Sequence, residues 1–209
     1  MTADRKTWTP SDVVDVTGPP ALLRNYLEQR DVRAYARQAA ERRAIRRAYD
    51  IGCGFARLTP VLTEVASEVV GFEREAALVA TARRLLPGIR VEHVETLEHL
   101  PVADASADLV LTFTVLQHMP DARAEAVLAE IRRVLAPGGH LILAEETDPT
   151  LEAGDASSAE LGYTRGRPPA WYAERFRPSR LIATSPRLIE PGYPRPDVGT
   201  YMFFERLGA

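Results

Sequence analysis

Short apolar runs alternate with amphipathic stretches along most of this chain. Residues 48–51 read as a strand, and Leu58, Val61, Leu62 and Val65 fall on one face of a helix expected over 57–66. A second strand follows over 68–73, then a helix over 75–86 that Pro87-Gly88 closes. Third and fourth strands are expected at 89–94 and 107–114. The clearest helical period lies in 121–136, where Val127, Leu128, Ile131, Val134 and Leu135 form the apolar stripe. Pro137-Gly138-Gly139 stops it, and a fifth strand runs over 140–145. Ahead of all these, residues 20–47 read as a long Arg-rich helical region, with Leu22, Leu23, Tyr26 and Leu27 at helical spacing.

Five alternations of strand and helix predict right-handed crossovers and a parallel sheet with helices on both faces. Ligands of such sheets bind beyond the carboxyl ends of the strands, at the topological switch point. Past residue 148 the texture changes. Residues 149–170 are rich in Gly, Ala, Ser and Pro without a period, a length typical of functional lids. Two further strands, at about 180–189 and 198–206, are close enough to pair antiparallel at the sheet edge.

Candidate chemistry sits where the first strand ends. In Asp50-Ile51-Gly52-Cys53-Gly54-Phe55-Ala56-Arg57 an acid closes an apolar run and two glycines alternate with other residues. Glycine admits φ > 0 and has no Cβ to block a ligand. The helix start expected next would offer unpaired N–H groups to polar or anionic ligand atoms. The spacing separates the nucleotide classes. A dinucleotide fingerprint needs a third Gly at 57, where this chain has Arg. A phosphate-binding P-loop needs a Lys after its last Gly, and the one lysine here is Lys6.

This segment resembles motif I of the class I S-adenosylmethionine-dependent methyltransferases, [D/E]-x-G-x-G-x-G, at Asp50, Gly52 and Gly54, with Ala56 in place of the last Gly. Glu73 ends the second strand 19 residues after Gly54, where an acid can accept both ribose hydroxyls. Residues 103–110, ADASADLV, resemble the family's D-x-S-F-D-L-V. Residues 115–121, VLQHMPD, resemble V-L-x-H-x-P-D, and 131–139, IRRVLAPGG, resemble R-V-L-x-P-G-G. The nearest look is the small-molecule branch that includes ubiquinone-biosynthesis-type methyltransferases.

The resemblance implies an α/β, Rossmann-like three-layer sandwich with a mostly parallel seven-stranded sheet and the last strand antiparallel. It implies S-adenosyl-L-methionine as cofactor, held by Asp50, Gly52, Cys53, Gly54, Glu73, Arg74, Thr96, Leu97 and Thr114. The family's G-D-A-x-x-L-P becomes Glu95-Thr96-Leu97-Glu98-His99-Leu100-Pro101 here. Thr96 therefore stands where an Asp would meet adenine, and Glu95 or Glu98 is an alternative. His118, just past strand four, and Glu145 and Glu146, past strand five, are the candidate general bases for deprotonating the methyl acceptor. No metal site is expected.

Residues 1–47 are expected to form a helical lid, with the core at 48–209 and a lid-like insertion at about 149–172. Trp8, Tyr26, Tyr163, Trp171 and Tyr172 are candidate walls of a substrate pocket.

Composition narrows the partners. The 209 residues are 45 % apolar and 26 % charged, ordinary for one soluble globular domain. No apolar run reaches membrane-spanning length, and the first ten residues lack a signal-peptide core, so a cytoplasmic location is expected. Cys53 is alone, which excludes an internal disulfide and leaves a small buried residue as its ordinary role. Basic residues are nearly all Arg and Ala is abundant, as a GC-rich bacterial genome produces. A net charge of −3 argues against general nucleic-acid binding.

The expected reaction is methyl transfer to an oxygen or nitrogen of a small molecule, with a homodimer left open. Two other readings compete. The eight arginines between Arg24 and Arg47 could hold RNA or a peptide, or an anionic small substrate, rather than forming a solvated helix face. The altered adenine segment also fits a non-catalytic cofactor-binding relative.

Overall fold

The computed structural model describes residues 19–154, 163–187 and 199–208. Strands β1 (Ile45–Ile51), β2 (Ala66–Glu73), β3 (Arg90–His93), β4 (Ala107–Phe113) and β5 (Leu135–Glu146) pair in parallel. A two-residue hairpin follows, β6 (Glu152–Ala153) with β7 (Thr164–Arg165). Strands β8 (Ser179–Pro186) and β9 (Gly199–Arg206) complete a seven-stranded sheet of order β3-β2-β1-β4-β5-β9-β8. Only β9 runs against its neighbours, so the sheet is mostly parallel with the last strand reversed. Both tail strands fall where the apolar pattern puts them.

Alternate strand residues feed two helix layers, the period-2 consequence of pleating. Leu109, Leu111 and Phe113 of β4, with Ile142 and Ala144 of β5 and Tyr201 and Phe203 of β9, pack on one side. There they meet helix α1 (Pro19–Arg42) through Val32, Ala36 and Ala39, all fully buried. Val110, Leu141, Leu143, Met202 and Phe204 face the other side. They pack on helix α4 (Asp121–Val134) and helix α5 (Pro169–Arg175). Helix α3 (Ala76–Leu85) buries Val79 and Ala82 in a smaller cluster with Cys53, Ala56 and Val91.

Four expectations need correcting. The helix expected over 57–66 is a single turn, α2 (Thr59–Leu62), with Pro60 in its first turn. Backbone bonds from Val61, Thr63, Glu64 and Val65 each reach three residues back, so the segment winds as tight turns that still bury Leu58, Val61 and Leu62. So short a helix adds little dipole to the cofactor edge. The connection 94–106 between β3 and β4 contains no helix. The long N-terminal helix ends at Arg42, and β1 begins at Ile45, so a boundary at 47/48 cuts through a strand. The buried half of α1 is core rather than lid. Finally, Pro137-Gly138-Gly139 lies within β5, where the register with β4 slips between Ala107↔Leu135 and Leu109↔His140. Gly138, at φ +73°, lets the extra residues loop out.

Candidate functional site

The carboxyl edge of the sheet gathers the sequence-picked residues. Strand pairing sets Ile51 beside Phe72, Glu73 beside His93, Phe113 beside Ala144, and Glu146 beside Gly199. Four residues at this edge hold positive φ: Gly52 at +74°, Gly54 at +58°, Ala56 at +65° and Thr114 at +54°. For Gly52 the requirement is steric as well, since a Cβ there would lie 2.6 Å from Val115 Cγ2. Ala56 takes the left-handed conformation that the motif's last Gly would take. Thr114 is the strained member, because a β-branched residue at φ > 0 costs about 1–3 kcal/mol.

The two acids of the motif are tied to this loop differently. The Glu73 carboxylate accepts the N–H groups of Gly54 (2.8 Å), Arg74 (2.7 Å) and Glu75 (2.8 Å), so the acid at the end of β2 holds the glycine turn shut. Burial raises its pKa, with the three N–H bonds pulling the other way. A carboxylate has about four acceptor positions, so one remains for a ribose hydroxyl. Asp50 is 3 % exposed and accepts the Thr59 hydroxyl at 2.6 Å. Burial pushes its carboxyl up to about 7, with the nearby Glu73 charge adding to the rise and Thr59 and Arg57 opposing it. Cys53 packs against Gly71, where a Cβ would come within 2.7 Å of the sulfur, and burial raises its thiol further, so it is an inert spacer. The backbone N–H groups of Gly52 and Cys53 both donate to the Phe72 carbonyl. The Arg74 side chain pairs with Glu75 at 2.5 Å.

The adenine segment is self-bonded. The Thr96 hydroxyl donates to Glu98 and accepts the Glu98 N–H, and Glu98 is paired with Arg123 at 2.5 Å. Glu98 thus fixes the direction of the Thr96 hydroxyl and leaves one lone pair on its oxygen. The Leu97 side chain is buried in the core, so only its backbone can face a base. Glu95 is exposed.

The candidate bases are engaged as well. Glu145 is fully buried and its carboxylate accepts the N–H groups of Val115 (3.1 Å), Leu116 (3.0 Å) and Gln117 (3.0 Å). It caps the 3₁₀ turn Leu116–His118 from below, and burial lifts its carboxyl to about 7. Arg167, 1 % exposed, fastens the same turn from its carbonyl side. It donates to Leu116 O (2.9 Å), Met119 O (2.5 Å) and Asp121 Oδ1 (2.8 Å), with its guanidinium 4.9 Å from the Trp171 ring. His118 Nδ1 lies 2.8 Å from the Tyr163 carbonyl and 3.2 Å from the Thr164 hydroxyl, and Nε2 lies 3.3 Å from the Gln117 amide nitrogen. Glu146 faces Arg187 at 3.6 Å. Of the aromatic wall candidates, Tyr172 is a core residue, Trp171 packs beside it, and Tyr26 is 63 % exposed. Tyr163 donates to Glu152, and Trp8 lies outside the described residues.

Most of the Arg-rich run is a surface lattice. Arg30 pairs with Asp31, Arg33 and Arg37 with Glu64, Arg43 with Asp108, and Arg47 with Glu68. Two largely buried arginines lie outside that run, besides Arg167. Arg57 and Arg187 stand over one ring, Phe113, at 5.1 and 5.0 Å, and share Glu28 of α1. A groove of about 400 Å³ is lined by Arg47, Phe72, His93 and Ser106. Among the described residues no group of three His, Cys, Asp or Glu is placed to hold a metal, and no helix is long and apolar enough to cross a membrane.

Residues 49–143 match the methyltransferase domain family. A probable S-adenosylmethionine-dependent methyltransferase of Mycolicibacterium smegmatis is 33 % identical over 149 residues, 71 % of this chain and 56 % of the relative. The trans-aconitate 2-methyltransferase of Variovorax paradoxus is 31 % identical over 188 residues, 86 % of this chain and 70 % of the relative. The chain spans about half or less of the length of several other curated relatives it matches. A solved S-adenosylmethionine-dependent methyltransferase of Mesorhizobium loti has the same fold, with a TM-score of 0.63 and 18 % identity over 83 % of this chain and 96 % of that one. The glycine turn clamped by Glu73, the buried Asp50 and the reversed last strand are thus found in a chain that belongs to the class I S-adenosylmethionine-dependent methyltransferases.

Proposed function

We propose that the protein transfers a methyl group from S-adenosylmethionine to an oxygen or nitrogen of a small molecule. The observation that carries this reading is the closed Asp50–Gly52–Gly54–Glu73 unit at the carboxyl edge, with the strained Thr114 turn beside it at the end of the neighbouring strand. The donor set fits the cofactor. Asp50 offers a buried carboxylate to the methionyl ammonium, Glu73 an acceptor to the ribose, and Thr96 with the Leu97 backbone a donor–acceptor pair to adenine. When bound, the cofactor supplies an electrophilic methyl on a sulfonium.

The chain's own task is to bind, orient and exclude water, and positioning alone is worth up to roughly 7–11 kcal/mol. Glu145 and Arg167 hold the post-β4 turn rigid for that purpose. With its Nδ1 proton toward the Tyr163 carbonyl, His118 keeps Nε2 as its basic nitrogen. Its contacts to Tyr163 and Thr164 support a positioning role, fastening the β7 segment over the site.

The pairing of the Arg-rich run with acids speaks against an RNA-holding helix, and the name of the Variovorax relative supports a small-molecule acceptor. The test follows S-adenosylhomocysteine release from S-adenosylmethionine with small-molecule extracts, tRNA and peptides offered separately. Release with tRNA or peptide alone refutes the acceptor class. No release with any of them favours the non-catalytic relative.

A further inference from the structure

We propose that Arg57 and Arg187 form an acceptor-side site for a carboxylate of the molecule to be methylated. This deepens the methyltransferase reading above and rests on it. Both side chains are more than nine-tenths buried, with exposures of 9 and 6 %. Long charged side chains are seldom buried unless paired, and among the described residues one nitrogen of Arg187 has no hydrogen-bond partner. Arg57 reaches Glu28 Oε2 at 2.7 Å and Asn25 Oδ1 at 3.1 Å. Arg187 reaches Glu28 Oε1 at 3.1 Å and Glu146 Oε1 at 3.6 Å. Arg24 also pairs with Glu28, at 3.0 Å, so three guanidiniums meet two carboxylates. The Arg187 Nε and the Tyr201 hydroxyl are buried donors with no hydrogen-bond partner among the described residues. Such orphans call for an occupant, because a buried unmade bond is costly.

The position is built rather than incidental. Arg187 folds back over Gly199, where a Cβ would lie 2.4 Å from its Cδ, and its N–H is pinned to the Gly199 carbonyl at 2.8 Å. Both guanidiniums lie against the Phe113 ring, at 5.1 and 5.0 Å from its centre, which brings them together on one apolar support. The site lies at the carboxyl ends of β4 and β5, on the α1 side, one residue beyond the Ala56 turn. Two planar guanidiniums suit the fork of a carboxylate. In the ligand-free chain, Glu28 supplies that carboxylate from α1. A ligand carboxylate would share the arginines with Glu28 or take its place.

The test is calorimetric titration of the chain loaded with S-adenosylhomocysteine. Benzoate and citrate are compared with their uncharged counterparts, benzamide and triethyl citrate. Each acid should bind at least about tenfold more tightly than its neutral partner. Arg187→Met should erase that preference, and Arg187→Lys should weaken it with the fold retained by melting. Glu28→Gln, which removes the internal competitor, should tighten acid binding severalfold. A merely structural ion pair predicts no gain from Glu28→Gln. Acids binding no better than their neutral counterparts overturn the proposal. So does a parallel loss of S-adenosylhomocysteine affinity in Arg187→Met, which would assign the pair to the cofactor's own carboxylate. Failure of S-adenosylhomocysteine to bind wild type strikes the methyltransferase reading itself. Binding of S-adenosylhomocysteine without acid preference strikes only this inference.

Discussion

As the proposed partner of the methionyl ammonium, Asp50 would make cofactor binding a proton-linked event. In the ligand-free chain, burial raises its carboxyl to about 7, so it is half protonated near neutral pH. The methionyl ammonium restores the opposite charge that burial removed, and the ionised form is then favoured. Binding therefore expels a proton wherever Asp50 was protonated. If the bound carboxyl returns to about its ordinary range, affinity at pH ~6 should be roughly tenfold weaker than at pH ~8. About half a proton should be released per ligand near pH 7. The assay is calorimetric titration with S-adenosylhomocysteine, which carries the ammonium without the sulfonium, in two buffers of different ionisation heat. Asp50→Asn should lose the pH dependence and the released proton together, and it also subtracts the titration of the ligand's own amino group. An affinity flat within twofold across that range, with no proton release, would refute the reasoning.

The same groups set an acid-side stability preference. Asp50, Glu73 and Glu145 all have folded pKa values raised by burial, so between about pH 4.5 and 7 these three groups bind more protons in the native chain than in the unfolded one, outnumbering His140, whose pKa burial lowers. Their contribution is present below their unfolded values and lost as pH rises through the folded ones. The ligand-free melting temperature should fall from about pH 5 to pH 8, and a rise there would contradict the assignment. Glu73→Gln should weaken cofactor binding by about 1.5–3 kcal/mol, one to two decades, read by calorimetry. An unchanged constant would remove the ribose assignment. Gly52→Ala combines positive φ with the Val115 contact and should cost at least about 1–3 kcal/mol of stability. Adding Val115→Ala should recover only the contact part. His118→Asn should lower kcat by less than about tenfold and leave the pH–rate profile in place. A fall of about 10²-fold with loss of the acidic limb would instead make it the base.

The strands were legible because most are short apolar runs bounded by turn residues, and β9 carries the run Tyr201-Met202-Phe203-Phe204. The placement of Asp50, Glu73, Thr114 and Glu145 at one sheet edge was legible for the same reason, since all four sit at or just past strand ends. The helix after the glycine turn was not. Leu58, Val61, Leu62 and Val65 satisfy a helical period that a single turn followed by tighter ones buries equally well. The role of Glu145 depends on N–H groups 28–30 residues away, and periodicity says nothing about them. The Arg57–Arg187 pair joins positions 130 apart, through Glu28 on a third element. Its faint signal in the chain was Arg57 standing where a dinucleotide fold would have Gly. The Arg-rich run between Arg24 and Arg47 stands out in the sequence, yet most of its arginines find acids on the surface, as a solvated helix face does.

The turn after β4 is shaped from outside itself. Its N–H groups answer to Glu145 in β5 and its carbonyls to Arg167 beyond the β6–β7 hairpin, so its path owes little to the side chains it displays. That separates form from decoration. His118 can be exchanged in a library, at the cost of its contacts to Tyr163 and Thr164. The two clamps and the buried Gln117, whose amide accepts the Glu146 N–H at 2.9 Å, keep the backbone in place, which makes this position the natural one for retargeting the protein to a new acceptor. Changes at Glu145 or Arg167 would have the reverse effect: every displayed residue would stay in the sequence, and the surface they compose would be lost.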